Sequence, residues 1–88
     1  MKLNGTYTLR EVAGEVLVIP VGATAMELNG MIILNPVSKV IWECLEKGTE
    51  EAEILKAVLE RFDVTEETAK ADIGEILDQL RKQKLITE

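Results

Sequence analysis

Apolar and polar positions along this chain of 88 residues change their period once, near residue 35. Before that point, short β-branched runs and near-alternating residues broken by glycine predict strands. Tyr7, Leu9 and, out of step, Val12 mark a first strand, Ala13 and Gly14 a tight turn, and residues 15–19 a continuous apolar second strand that Pro20 and Gly22 end. Residues 25–28 then meet Asn29-Gly30, a pair that tolerates the positive φ angles a type I′ hairpin turn demands. Met31, Ile32, Ile33 and Leu34 form the return strand, third in the sheet.

Beyond residue 35 the spacing turns helical three times. Asn35 suits an N-cap and Pro36 a first helical position, where its missing N–H costs nothing. Val37, Val40, Ile41, Cys44 and Leu45 share one face, and Gly48 is placed to end that helix in the left-handed conformation. Thr49 is the expected cap of a second helix with Glu50, Glu51 and Glu53 at its positive end and Ile54, Leu55, Val58, Leu59 and Phe62 on its core face. Thr65 caps the third, whose stripe is Ala69, Ile73, Ile76, Leu77 and Leu80, with Glu66 and Glu67 at its start and Arg81, Lys82 and Lys84 at its end. Trp42 lies about 60° beyond Leu45 on the helical wheel. That position fits half-buried cover for the sheet, with a partner-docking anchor as the alternative. With no linker, repeat or low-complexity segment, residues 1–88 read as one α+β domain. It is winged helix-turn-helix-like, with a β-rich part over 1–35 and a helical part over 36–88: a small three-stranded antiparallel sheet followed by three helices.

Composition removes most function classes from this frame. There is no histidine, so the usual general base, zinc ligand and pH switch are missing, and Ser/His/Asp and Cys/His catalysis are excluded. The acids of the helix starts are explained by solvation and the dipole, and Gly22, Gly30 and Gly48 are isolated turn residues rather than a phosphate loop. No catalytic residue, cofactor or metal site is expected, and the chain reads as a non-enzyme. A single cysteine, Cys44 in the middle of a core stripe, points to a reducing compartment, the cytoplasm. Apolar runs are far too short for a membrane span. The net charge of −6 opposes phosphate binding, and residues 65–68, Thr-Glu-Glu-Thr, sit where a recognition helix would offer cations to DNA. No nucleic acid and no membrane partner are expected.

Binding is left, and the order of short motifs carries a resemblance. A β-rich third ends in Leu34-Asn35, and the first helix holds the pair Ile41-Trp42. The second opens on Gly48-Thr49, with Ile54 one residue later than a strict match; Phe62-Asp63-Val64 form the next turn. Asp72-Ile73 and Ile76-Leu77 follow, and Leu80 and Leu85 bracket Lys84, which stands where glycine is frequent. Over about 80 residues this pattern resembles the PqqD-like family.

The resemblance implies a peptide chaperone, a recognition element for ribosomally made, post-translationally modified peptides, related to but not limited to PQQ biosynthesis. Such a domain binds the leader segment of a precursor peptide by β-strand addition beside the third strand and against the third helix, and presents it to a modifying enzyme, often a radical S-adenosylmethionine (radical SAM) enzyme. Carried to this chain, the peptide-binding residues are Met31, Ile32, Ile33 and Leu34 on the strand and Lys70, Ile73, Gly74, Leu77 and Arg81 on the helix. Lys70, Gly74 and Arg81 cluster within about 40° along one border of the stripe, predicting a cationic rim for acidic leader residues. Gly74 has two readings, close packing against a neighbouring element or room for the peptide. A homodimer through the same open edge is compatible with the pattern. The alternatives are a winged-helix regulatory or DNA-associated protein and a structural docking subunit of an enzyme.

Overall fold

The computed structural model describes residues 1–27 and 32–87. A two-residue strand, β1 (Lys2–Leu3), precedes β2 (Tyr7–Val12) and β3 (Glu15–Pro20). Ala13 and Gly14 take φ of 52° and 83°, the two positive values that let a two-residue loop fold β2 straight back onto β3 in register, Val12 opposite Glu15 and Tyr7 opposite Pro20. Next comes a single helical turn, α1 (Ala23–Glu27), where a strand was expected from residue 25. Ala, Met and Glu favour the helix, and the segment lacks the β-branched run of its neighbours. Leu28, Asn29, Gly30 and Met31 lie outside the described residues, so the expected hairpin turn does too. Strand β4 (Ile32–Leu34) pairs antiparallel with β3, giving the three-stranded order β2-β3-β4.

Helices α2 (Pro36–Lys47), α3 (Glu51–Arg61) and α4 (Glu66–Lys82) follow. The Asn35 side chain accepts from the Ser38 N–H at 2.8 Å, and Thr65 does the same for Thr68 at 3.2 Å, so two of the expected caps are in place. The third differs: Glu50, not Thr49, is the N-cap of α3 and makes no side-chain cap bond. Thr49 instead exchanges backbone hydrogen bonds with Met1. Pairing of β1 with the C-terminal strand β5 (Ile86–Thr87), in a ribbon separate from the main sheet, is a second feature without a counterpart in the sequence pattern.

At the end of α4, Lys84 has φ of 60°. Its N–H bonds the Arg81 carbonyl and the Leu85 N–H bonds that of Leu80, the paired closure of a Schellman motif whose left-handed residue is ordinarily glycine. Leu80 and Leu85, at the two apolar positions of such a motif, are both buried. The Leu-x3-Lys-Leu spacing is therefore a helix stop, and Lys84 occupies the glycine position in the glycine conformation.

The core forms between the inner face of the sheet (Val16, Val18, Leu34) and the stripes of the three long helices, with Ile41, Trp42, Leu45, Ile54, Ile73 and Leu77 almost wholly buried. Trp42 is an inner residue rather than half-exposed cover, and the Tyr7 ring meets it edge-on with centroids 5.3 Å apart. Among the described residues no polar or charged side chain is buried, so any recognition chemistry lies on the surface. No described helix is long and apolar enough to cross a membrane.

Candidate functional site

The sheet order leaves β4 at an edge. On one side Ile32, Ile33 and Leu34 face Val18, Leu17 and Val16 of β3; among the described residues no strand lies on the other. Side chains along β4 alternate as a strand requires: Leu34 enters the core, while Ile33 is 61% exposed on the opposite face. Asn35 caps α2 immediately after this strand, so the chain turns at once and α2 begins at the end of the open edge.

A groove of about 390 Å³ runs between this corner and α4. Ile33, Asn35, Val37 and Ser38 line one wall, and Asp72, Glu75, Ile76 and Gln79 the other. The four α4 residues have i, i+3, i+4, i+7 spacing and so form one continuous face. The groove thus combines an unpaired strand edge, apolar contact from Ile33, Val37 and Ile76, amides at Asn35 and Gln79, and two carboxylates. Those groups can hold an extended chain by its backbone and sort its side chains by polarity and charge.

Of the residues singled out in the sequence, Ile32, Ile33 and Leu34 form the edge strand, and Met31 falls outside the described residues. The helix set lies elsewhere. Ile73 and Leu77 are core residues, 1% and 0% exposed. Lys70 pairs with Glu66 at 3.4 Å beside a different hollow, between α3 and α4, lined also by Glu51, Ala52 and Leu55. Arg81 bonds Asp78 at 3.3 Å and places its other terminal nitrogen 3.6 Å from the Met1 sulfur. The apolar stripe of α4 has two flanks, and the structure sets the acidic flank, not the cationic one, against β4. Of the groove's α4 residues, Ile76 was read in the sequence as part of the apolar stripe and Asp72 as a motif residue, while Glu75 and Gln79 were not singled out.

Gly74 lies half-buried on α4. It does not line the groove, and a Cβ built on it meets nothing within 4 Å. The space beside it is open, so close packing does not account for it. Gly74→Ala is therefore expected to raise stability by about 0.5–1 kcal/mol through helix propensity alone, read as a higher denaturant midpoint, with peptide affinity unchanged. A drop in affinity would return this position to the binding surface.

Cys44 is half-buried, and desolvation pushes its thiol up despite the opposing pull of Arg61 and Lys47. It is a packed thiol rather than an activated one. Among the described residues, no group of three His, Cys, Asp or Glu side chains is placed to hold a metal ion.

Comparison with known proteins agrees with this architecture. No curated protein matches the chain. A solved structure described as TbiB1 in complex with the TbiA(beta) leader peptide superposes with a TM-score of 0.73 at 24% identity, covering 97% of this chain and 93% of that one. Residues 16–86, from the start of the apolar second strand to the closing ribbon, match the family model for coenzyme PQQ synthesis protein D. That span takes in every element around the groove, and the chain belongs to the PqqD family.

Proposed function

We propose that this protein is a non-catalytic recognition domain for the leader segment of a ribosomally synthesised precursor peptide. The leader adds as a strand along the free edge of β4 and packs in the groove against α4. The observation that carries this reading is the coincidence, at one place, of a strand edge unpaired among the described residues, an exposed Ile33 and a helix face on the other wall of one groove. An uncovered edge is an aggregation hazard unless something uses or guards it, and β-addition is the use this geometry offers. That the similar TbiB1 structure holds a leader peptide supports it.

In this reading the bound segment is a handle, and the rest of the precursor remains outside for a modifying enzyme, of the radical SAM type in the pattern the family resemblance implies. The lone, packed Cys44 suits a cytoplasmic setting for both. The acidic start of α4, Glu66 and Glu67, disfavours the winged-helix alternative of reading DNA.

The test is an amide-shift titration of labelled protein with the leader of the precursor peptide encoded beside its gene. Shifts are expected at Ile32, Ile33 and Leu34 and along Asp72, Glu75, Ile76 and Gln79. Shifts confined to β2, the other edge of the sheet, would move the site, and a silent spectrum would end the proposal. A homodimer through the β4 edge would compete, so sedimentation of the free protein belongs with the titration.

A further inference from the structure

Resting on the proposed leader-binding reading, we infer that the peptide taken by the β4–α4 groove is cationic: an extended segment with Lys or Arg next to an apolar residue. Among the described residues the charged ones lining the groove are Asp72 and Glu75, and no basic side chain lines it. Both carboxylates are also uncommitted. Among the described residues the ion pairs are Lys70–Glu66 and Arg81–Asp78, neither of which involves them. An occupant must therefore bring its own positive charge or leave two acids facing it without a partner.

The spacing says where that charge goes. Asp72 and Glu75 are three residues apart, about 4.5 Å along the helix axis, so one Lys or Arg side chain lying along α4 reaches both carboxylates. Ile33 and Ile76 offer apolar contact to a neighbouring side chain of the same peptide. An acidic leader would instead meet like charge at the contact, within a chain of net charge −6. The overall negative field adds long-range attraction for a cationic peptide at low salt.

A display library of random 12-residue peptides, selected separately on the wild-type protein and on Asp72→Lys/Glu75→Lys, tests this. The changed positions are solvent-exposed, and circular dichroism checks that the variant folds. Wild type is expected to enrich peptides that pair an apolar residue with Lys or Arg, and the variant to lose these and enrich Asp or Glu. A wild-type-selected peptide should bind the variant at least about 10-fold more weakly, and bind the wild type about 3-fold more weakly at high than at low salt. Enrichment of apolar peptides without basic residues, or one motif for both proteins, overturns the charge inference and leaves the binding reading standing. No enrichment on either protein sinks both.

Discussion

Trp42→Ala is expected to lower the thermal midpoint by about 15 °C or more, or to leave the chain unfolded at 37 °C. Trp42 is the single tryptophan and is 2% exposed, packed in the core with the Tyr7 ring edge-on at 5.3 Å. Truncating a buried tryptophan costs about 3–5 kcal/mol, lost burial plus the cavity that remains. A domain of this size has only about 4–13 kcal/mol to lose, and each kcal/mol moves the midpoint by about 4–8 °C. The same residue joins the two halves of the fold, since α2 carries it and β2 carries Tyr7. Trp42→Phe, which keeps an aromatic partner for Tyr7, should recover most of the loss. Calorimetry on both variants decides the matter. Were Trp42 a partner-docking anchor, alanine would weaken binding and leave the midpoint nearly unchanged. Because no other tryptophan contributes, the wild-type emission should also be blue-shifted and move red on unfolding.

What the sequence made legible was local. Asn35-Pro36 and Thr65 announce helix starts because a side-chain cap and its target N–H are three residues apart. Ala13-Gly14 announces the β2–β3 turn because its positive φ requirement concerns two adjacent residues. The β1–β5 ribbon joins residues more than 80 positions apart through two-residue strands, too short for any periodicity to register. At α1, intrinsic helix propensity decided a segment that its neighbours made look like a strand. The groove shows the limit most clearly. The stripe of Ala69, Ile73, Ile76, Leu77 and Leu80 was readable, but charged residues flank it on both sides, and which flank meets β4 follows from how α4 packs against α3 and β5. Choosing the Lys70, Gly74, Arg81 border gave a cationic rim; packing puts Asp72 and Glu75 there instead. The edge position of Ile32, Ile33 and Leu34 needs only the strand's place in the sheet order.

Strand addition at β4 makes a prediction that ordinary groove binding does not, because alternate residues of an added strand point their N–H groups in opposite directions. N-methylation of two leader residues whose amides face β4 should weaken binding about 100-fold or more. Each lost backbone hydrogen bond accounts for about 0.5–1.5 kcal/mol, and the methyl group also holds the strands apart. Methylation of the residues between them should be tolerated within a few-fold. Among the described residues Ile32, Ile33 and Leu34 form the strand, and two modified positions facing it suffice for the test. On the protein side, Ile33→Thr keeps a β-branched residue in the strand while removing an apolar side chain that is 61% exposed and free to contact the peptide. The contact it can make, at about 25 cal/mol per Å² over some 60–80 Å², corresponds to a loss of affinity of roughly 10- to 30-fold. The protein's own stability should hardly move, because that side chain lies outside the core. Isothermal titration of the two methylated leaders against wild type, and of the unmodified leader against Ile33→Thr, separates the possibilities. Equal losses from both methylation registers would mean that the peptide lies in the groove without joining the sheet. A full loss in one register with Ile33→Thr silent would keep strand pairing and place the apolar anchor at Ile76 or Val37 instead.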